Sequence, residues 1–186
     1  NLDFGQYGSI YNLFNINEKV ILNNLKDIQK NNNLPCSEFL IGGYNFSIEM
    51  ETGTGKTYVY LRTIFELNKK YGWKKFIIVV PSVAIREGVL NSLEITKSHF
   101  KKLYDNVAYN FYPYSSKEII KIRQFSRNNN IEIMIITLDS FNKESNILNQ
   151  KRDELRGEKG IDIIKSARPI LILDEPQNME SEKQKD

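Results

Sequence analysis

The sequence predicts an α/β fold: a mostly parallel sheet with helices on both faces. Three observations carry this. Apolar runs rich in β-branched residues recur at Phe76–Val80, Ile131–Thr137 and Ile170–Leu173. Segments with helical spacing alternate with them, and a glycine-threonine turn ending in Gly55-Lys56-Thr57 opens one of those segments. Buried parallel strands read as unbroken apolar runs, and a strand–helix–strand rhythm is what a sheet covered on both faces requires.

Each element has its own signal. Val20, Ile21, Leu22, Leu25 and Ile28 sit near helical spacing and predict a helix over 18–31, ended by Asn31-Asn32-Asn33-Leu34-Pro35. Gly42-Gly43 predicts a turn, and Phe46-Ser47-Ile48-Glu49-Met50 a short strand feeding the glycine turn. Lys56 to Tyr71 reads as a helix stopped by Gly72. Phe76–Val80 is a strand closed by Pro81, after which Ser82 is the expected N-cap with Ile85 at N3. Helical spacing then runs through Leu90 to about Leu103. Val107 to Tyr112 alternates like a strand, and Ser115-Ser116 cap a helix reaching Phe125. Ile131–Thr137 is the next core strand, followed by Leu138-Asp139-Ser140. Residues 142–160 are polar and charged and read as a solvated loop and helix face. Ile170–Leu173 reads as a buried strand.

Composition agrees with one folded domain. At 186 residues, 40% hydrophobic and 26% charged, the chain has the material for a sizeable core and is not disordered. A net charge of +3 permits nucleic-acid contact without arguing for it. The single cysteine, Cys36, excludes an intrachain disulfide or a cysteine metal cluster, and the single histidine, His99, reads as a surface or half-buried side chain. No apolar stretch has transmembrane length and no signal peptide is visible, so a bacterial cytoplasm is the expected compartment.

The chemistry lies in two motifs. Met50-Glu51-Thr52-Gly53-Thr54-Gly55-Lys56-Thr57 has the strand, glycine loop, helix order of a phosphate-binding loop. Gly53 and Gly55 let backbone N–H groups turn inward on phosphate oxygens, with Thr52 and Thr54 between and beside them. Lys56 reaches the β- and γ-phosphates of ATP, the Thr57 hydroxyl holds Mg²⁺, and the helix N-terminus adds donors for an anion. Met50 stands where the general pattern has glycine, at the end of the expected strand. Downstream, Ile170–Leu173 ends in Asp174-Glu175-Pro176-Gln177. Asp174 is placed to face the same Mg²⁺, and Glu175 to polarise the water attacking the γ-phosphorus, a residue a hydrolase needs and a nucleotide kinase does not.

These strings resemble a specific family. Glu51 through Thr63 is similar to motif I of the Res subunit of type III restriction endonucleases, and Val79-Val80-Pro81-Ser82-Val83-Ala84-Ile85-Arg86-Glu87-Gly88-Val89 resembles their motif Ia. Asp174-Glu175-Pro176-Gln177 is similar to their motif II, and Ile136-Thr137-Leu138-Asp139-Ser140-Phe141-Asn142 falls where they carry a DNA-contacting motif. The resemblance spans about residues 46–178. It implies a RecA-like P-loop NTPase lobe of the superfamily-two helicase kind, with ATP and Mg²⁺ as cofactors. It further implies duplex DNA as substrate, ATP-driven movement or switching along it, and a methyltransferase (Mod) partner that reads the recognition sequence. Gln177 then couples the phosphate state to a neighbouring lobe. Residues 1–45 are expected as a helical lead-in, 46–178 as the first motor lobe and 179–186 as a charged tail, with the second lobe and the nuclease domain elsewhere in a longer chain. Gln6 and Gln29 are the only glutamines upstream of the loop, and neither sits in a convincing adenine-reading setting.

Pro81, Ser82 and Arg86 after one strand, and Thr137 and Ser140 after the next, are expected DNA-backbone contacts under this resemblance. From the residues alone, strand termination and helix capping are the preferred reading of Pro81, Ser82 and Ser140. Tyr109, Phe111, Tyr112 and Tyr114 read as strand packing more readily than as a base-stacking platform. Two other functions stay open from the residues: a DNA or RNA helicase or remodelling ATPase of another kind, and a nucleotide-gated binding module without turnover.

Overall fold

The computed structural model describes residues 8–40, 42–142 and 147–177. The described chain divides into two compact units, one of residues 13–54 and one of the remainder. Gln6 and the expected 179–186 tail lie outside the described residues.

In the first unit, helix α1 spans Glu18–Asn31. Asn17 caps it, its side chain accepting from the Lys19 N–H, with Glu18 in the first turn and Lys30 in the last, charges that complement the helix dipole. Its apolar positions form a stripe but none is buried. The Gln29 amide clamps Ser37, donating to its Oγ at 2.8 Å and accepting from its N–H at 2.8 Å. Residues 46–50, expected as a strand, carry none, and Phe46 and Ile48 are exposed. A strand exists only with a ladder partner, and β-propensity without one is insufficient.

The second unit is built on four parallel strands in the order β2-β3-β1-β6: β1 Lys75–Val80, β2 Tyr109–Pro113, β3 Ile131–Thr137 and β6 Ile170–Leu173. The predicted parallel sheet is therefore present. Helices α2 (Lys56–Tyr71), α3 (Val83–Ile95) and α4 (Lys97–Leu103) precede or follow β1, and α5 (Lys121–Arg127) leads to β3. A short α6 (Asp139–Asn142), a two-stranded ribbon of β4 (Lys151–Arg152) and β5 (Glu158–Lys159), and α7 (Gly160–Ser166) lead to β6.

Every residue of β1, and all of β3 except Thr137, is buried, as expected of central strands covered on both faces. Ile77 and Val79 of β1 and Met134 and Ile136 of β3 point to one face, against Ile122 and Phe125 of α5 and Ile163 and Ile164 of α7. The stretch read as solvated adds to that core: Leu148 and Leu155 are both fully buried in it. Its charged residues hid two anchoring leucines, because polar density is no measure of where single apolar side chains point. Elsewhere in the unit, Phe65 of α2 stacks on Phe100 and Tyr104 and takes Tyr109 edge-on, at centroid distances of 4.8, 5.1 and 5.0 Å. That settles the aromatics of β2 as packing residues at Tyr109.

β6 departs from expectation. Among the described residues it pairs only with β1, and Leu171 and Leu173 are about half exposed, so it is an edge strand there rather than a buried one. The helical run expected from Leu90 to Leu103 is broken at Thr96 into α3 and α4, and the helix expected after Ser115 is a 3-10 turn (Ser116–Glu118) followed by α5.

Before β6 begins, Asn12 fills its place beside β1. The Asn12 amide accepts from the Lys74 and Lys75 N–H groups at 2.8 and 3.1 Å and donates to the Lys75 carbonyl at 2.8 Å. Lys75 is itself fully buried, its ammonium donating to the carbonyls of Phe125 and Asn128 at 2.6 and 2.5 Å.

Candidate nucleotide site

The boundary between the two units falls between Thr54 and Gly55, inside the glycine motif. On the near side, Thr54 folds back on Glu51, its N–H and hydroxyl both reaching the Glu51 carbonyl at 3.3 and 2.6 Å. Gly53 has φ of 80° and Gly55 of 89°. An added Cβ at either meets nothing within 4 Å, so the torsion and not crowding demands glycine there.

Gly55 is the N-cap of α2 and brings no side-chain acceptor, and no acidic residue stands in the first turn. The amide donors that open the helix therefore meet no side-chain cap, while Lys69 and Lys70 complement the dipole at the other end. Lys56 and Thr57 follow Gly55 directly, and Gly72 at φ 70° ends the helix as expected.

Because β1, β3 and β6 are parallel, their carboxyl ends leave the same edge of the sheet. The Leu138 N–H donates to the Val80 carbonyl and the Asp174 N–H to the Val79 carbonyl at 2.9 Å, so the loops after all three strands are pinned side by side. Asp174 and Glu175 emerge there, across from the start of α2. Lys56 Nζ stands 3.8 Å from Glu175 Oε1, each side chain about one-third exposed. Glu175 holds a left-handed backbone (φ 54°), an uncommon torsion for a non-glycine residue that costs of order 1 kcal/mol and clusters at functional sites. The distant motifs thus meet in space.

A residue absent from the sequence reading joins them. The Tyr60 hydroxyl, one helical turn beyond Thr57 on α2, donates to Asp174 Oδ2 at 3.3 Å. Burial is the chief cause of a raised Tyr60 pKa, so the phenol stays protonated and remains a donor. Burial also raises the Asp174 carboxyl above its usual range, reinforced by the neighbouring Glu175 and opposed by the Tyr60 bond and Lys56. The available signal was positional: Tyr60 lies three residues after Thr57, on the same helical face.

The oxygen donors fit Mg²⁺. A threonine hydroxyl and one partly desolvated carboxylate held by a phenol are a hard-oxygen set of the kind that shares the ion with substrate phosphates. Among the described residues no group of three or more His, Cys, Asp or Glu side chains forms an all-protein metal cage.

The expected DNA contacts have local roles. Ser82 caps α3, accepting from the Ile85 N–H at 3.3 Å, and Arg86 pairs with Glu87 at 2.9 Å. Thr137 and Ser140 share a hydroxyl–hydroxyl bond of 3.1 Å. Pro81 follows β1, as a strand terminator does. Pro81 and Ser82 follow β1, Thr137 ends β3 and Ser140 lies in α6 just after it, at the sheet edge that also carries Asp174. Gln177 is exposed at the end of the described segment.

A family model described as "Type III restriction enzyme, res subunit" matches residues 11–184. The chain belongs to that family. It is 30% identical over 181 residues to the type III restriction-modification enzyme EcoP15I Res subunit of Escherichia coli, covering 87% of this chain and 19% of that protein. It is 32% identical over 151 residues to the StyLTI Res subunit of Salmonella typhimurium, covering 71% of this chain and 15% of that protein. With the EcoPI Res subunit of Escherichia phage P1 it is 29% identical over 184 residues, covering 87% and 19%. The chain thus spans no more than about a fifth of these Res proteins. Its fold is the RecA-like P-loop lobe of the Res family, the helicase-like part of the type III enzymes.

Proposed function

We propose that this Res-family chain is the ATP-binding and ATP-hydrolysing first motor lobe of a type III restriction endonuclease, working in the bacterial cytoplasm. It drives movement or switching along duplex DNA before a nuclease domain elsewhere in the protein cuts. The observation that carries this reading is the convergence of Lys56 with Glu175, and of Tyr60 on the same helix with Asp174, groups more than 100 residues apart in sequence.

Residues 52–57 hold the ATP phosphates through backbone donors, and Lys56 takes the β- and γ-phosphate oxygens. Thr57 and Asp174 hold Mg²⁺, which when bound neutralises charge on the phosphates. Lys56 neighbours Glu175. The Glu175 carboxylate orients a water and accepts its proton. The water oxygen bonds to the γ-phosphorus as the bond to the bridging oxygen breaks and ADP leaves. Gln177 relays the phosphate state to the second RecA-like lobe, which supplies an arginine finger worth about 10³–10⁵ in rate in other NTPases. Pro81, Ser82, Arg86, Thr137 and Ser140 track the DNA backbone along the sheet edge.

The test is ATPase activity of the full-length protein with its methyltransferase partner, with and without duplex DNA. Stimulation by DNA is expected, abolished in Lys56→Ala together with phosphate binding. Glu175→Gln is expected to keep ATP binding and stop turnover. Stimulation by RNA and not by DNA sinks the restriction reading, and unaltered nucleotide affinity in Lys56→Ala sinks the site.

A further inference from the structure

We propose that Tyr60 is a positioning residue for the divalent ion, its hydroxyl orienting Asp174 as an oxygen ligand. The inference rests on the nucleotide-site reading above and deepens it.

The geometry sets the task. The Tyr60 hydroxyl donates to Asp174 Oδ2 at 3.3 Å, which fixes the rotation of the carboxylate and leaves Oδ1 for the ion or its waters. The main chain fixes the frame: Thr57 and Tyr60 lie one turn apart on α2, and Asp174 is tied to β1 through its N–H at 2.9 Å. The bond is partly buried, so water does not replace it without cost.

Hydrogen-bond partners of metal ligands commonly set affinity by about 10- to 100-fold. Tyr60→Phe keeps the ring and removes only the hydroxyl and its bond to Asp174. The experiment titrates Mg²⁺ against binding of a ribose-labelled fluorescent ATP, in the full-length protein, with and without Tyr60→Phe. The expected result is a rise of about tenfold in the Mg²⁺ midpoint, with labelled-ATP affinity in excess chelator unchanged. A structural role for the ring predicts instead an equal loss with and without the ion, and that result overturns the proposal. A midpoint that is unchanged or lower also overturns it, the lower value meaning that the phenol competes with the ion. In an Asp174→Asn background Tyr60→Phe is expected to add little, whereas a full additive effect shows that Tyr60 does not act through Asp174. Should the unsubstituted protein bind no labelled ATP at saturating Mg²⁺, the nucleotide-site reading fails and this inference with it. If it binds and the midpoints coincide, only the Tyr60 inference fails.

Discussion

Replacing Asn12 by alanine tests whether a side chain stands in for a strand. The Asn12 amide, 4% exposed, serves the Lys74 N–H and both the N–H and the carbonyl of Lys75, the residue that opens β1. Lys74 is half-buried and finds water readily, so its N–H contributes little to the loss. Lys75 is fully buried, and its two backbone groups lose their partner. An orphaned buried group costs about 1–3 kcal/mol, and partial entry of water into the vacated space brings the expected total for Asn12→Ala to about 3 kcal/mol. With a urea m-value of about 2 kcal/mol/M, the midpoint falls by about 1.5 M. Ser9→Ala is the control on the same segment. The Ser9 hydroxyl is buried against Ser166 Oγ at 2.6 Å, but Ser166 keeps a second bond to the Ile163 carbonyl at 2.7 Å, so its loss is expected to cost below about 1 kcal/mol. Amide exchange at Lys75 should accelerate in Asn12→Ala and not in Ser9→Ala. Equal losses in the two variants, or a loss under about 1 kcal/mol in Asn12→Ala, refute the reasoning.

Two further perturbations probe the core. Burial pulls the Lys75 ammonium down to about 8 from its usual 10.5. Between those values the unfolded chain binds more protons, so stability from this group rises with pH through the window, by at most about 3 kcal/mol. Comparing denaturation at pH 7.5 and 10 in the parent and in Lys75→Met should show that rise in the parent alone, and matching pH slopes dismiss the assignment. Leu155→Ala should cost about 2–5 kcal/mol by emptying a fully buried site in the ribbon, read by urea melting, whereas a loss near zero means that the 151–159 segment is not anchored to the core.

How much was legible in the sequence varied with the kind of signal. The strands β1 and β3 were, because both faces of each are covered and their apolar runs are unbroken. So was α2, bracketed by Gly55 and Gly72, each in the left-handed torsion that glycine tolerates best. The Ser82 cap was readable for the same local reason. Residues 46–50 misled: their composition suits a strand, yet no composition supplies the neighbour that a strand needs. Leu171 and Leu173 misled in the opposite sense, as apolar residues on an edge strand that stay half exposed. Lys75 looks like any surface lysine, and only the carbonyls of Phe125 and Asn128 explain its burial.

By itself, then, the sequence determined the parallel α/β class and the Res family, since these rest on residue identity, short spacing and torsional preference. Tertiary structure alone decided which groups became neighbours. The Tyr60 hydroxyl reaches a carboxylate 114 positions away, and Asn12 completes a strand 63 positions away. The physical reason is range: backbone torsion and periodicity act over a few residues, whereas a hydrogen bond between distant segments exists only once burial of the sheet and its helices has brought them together.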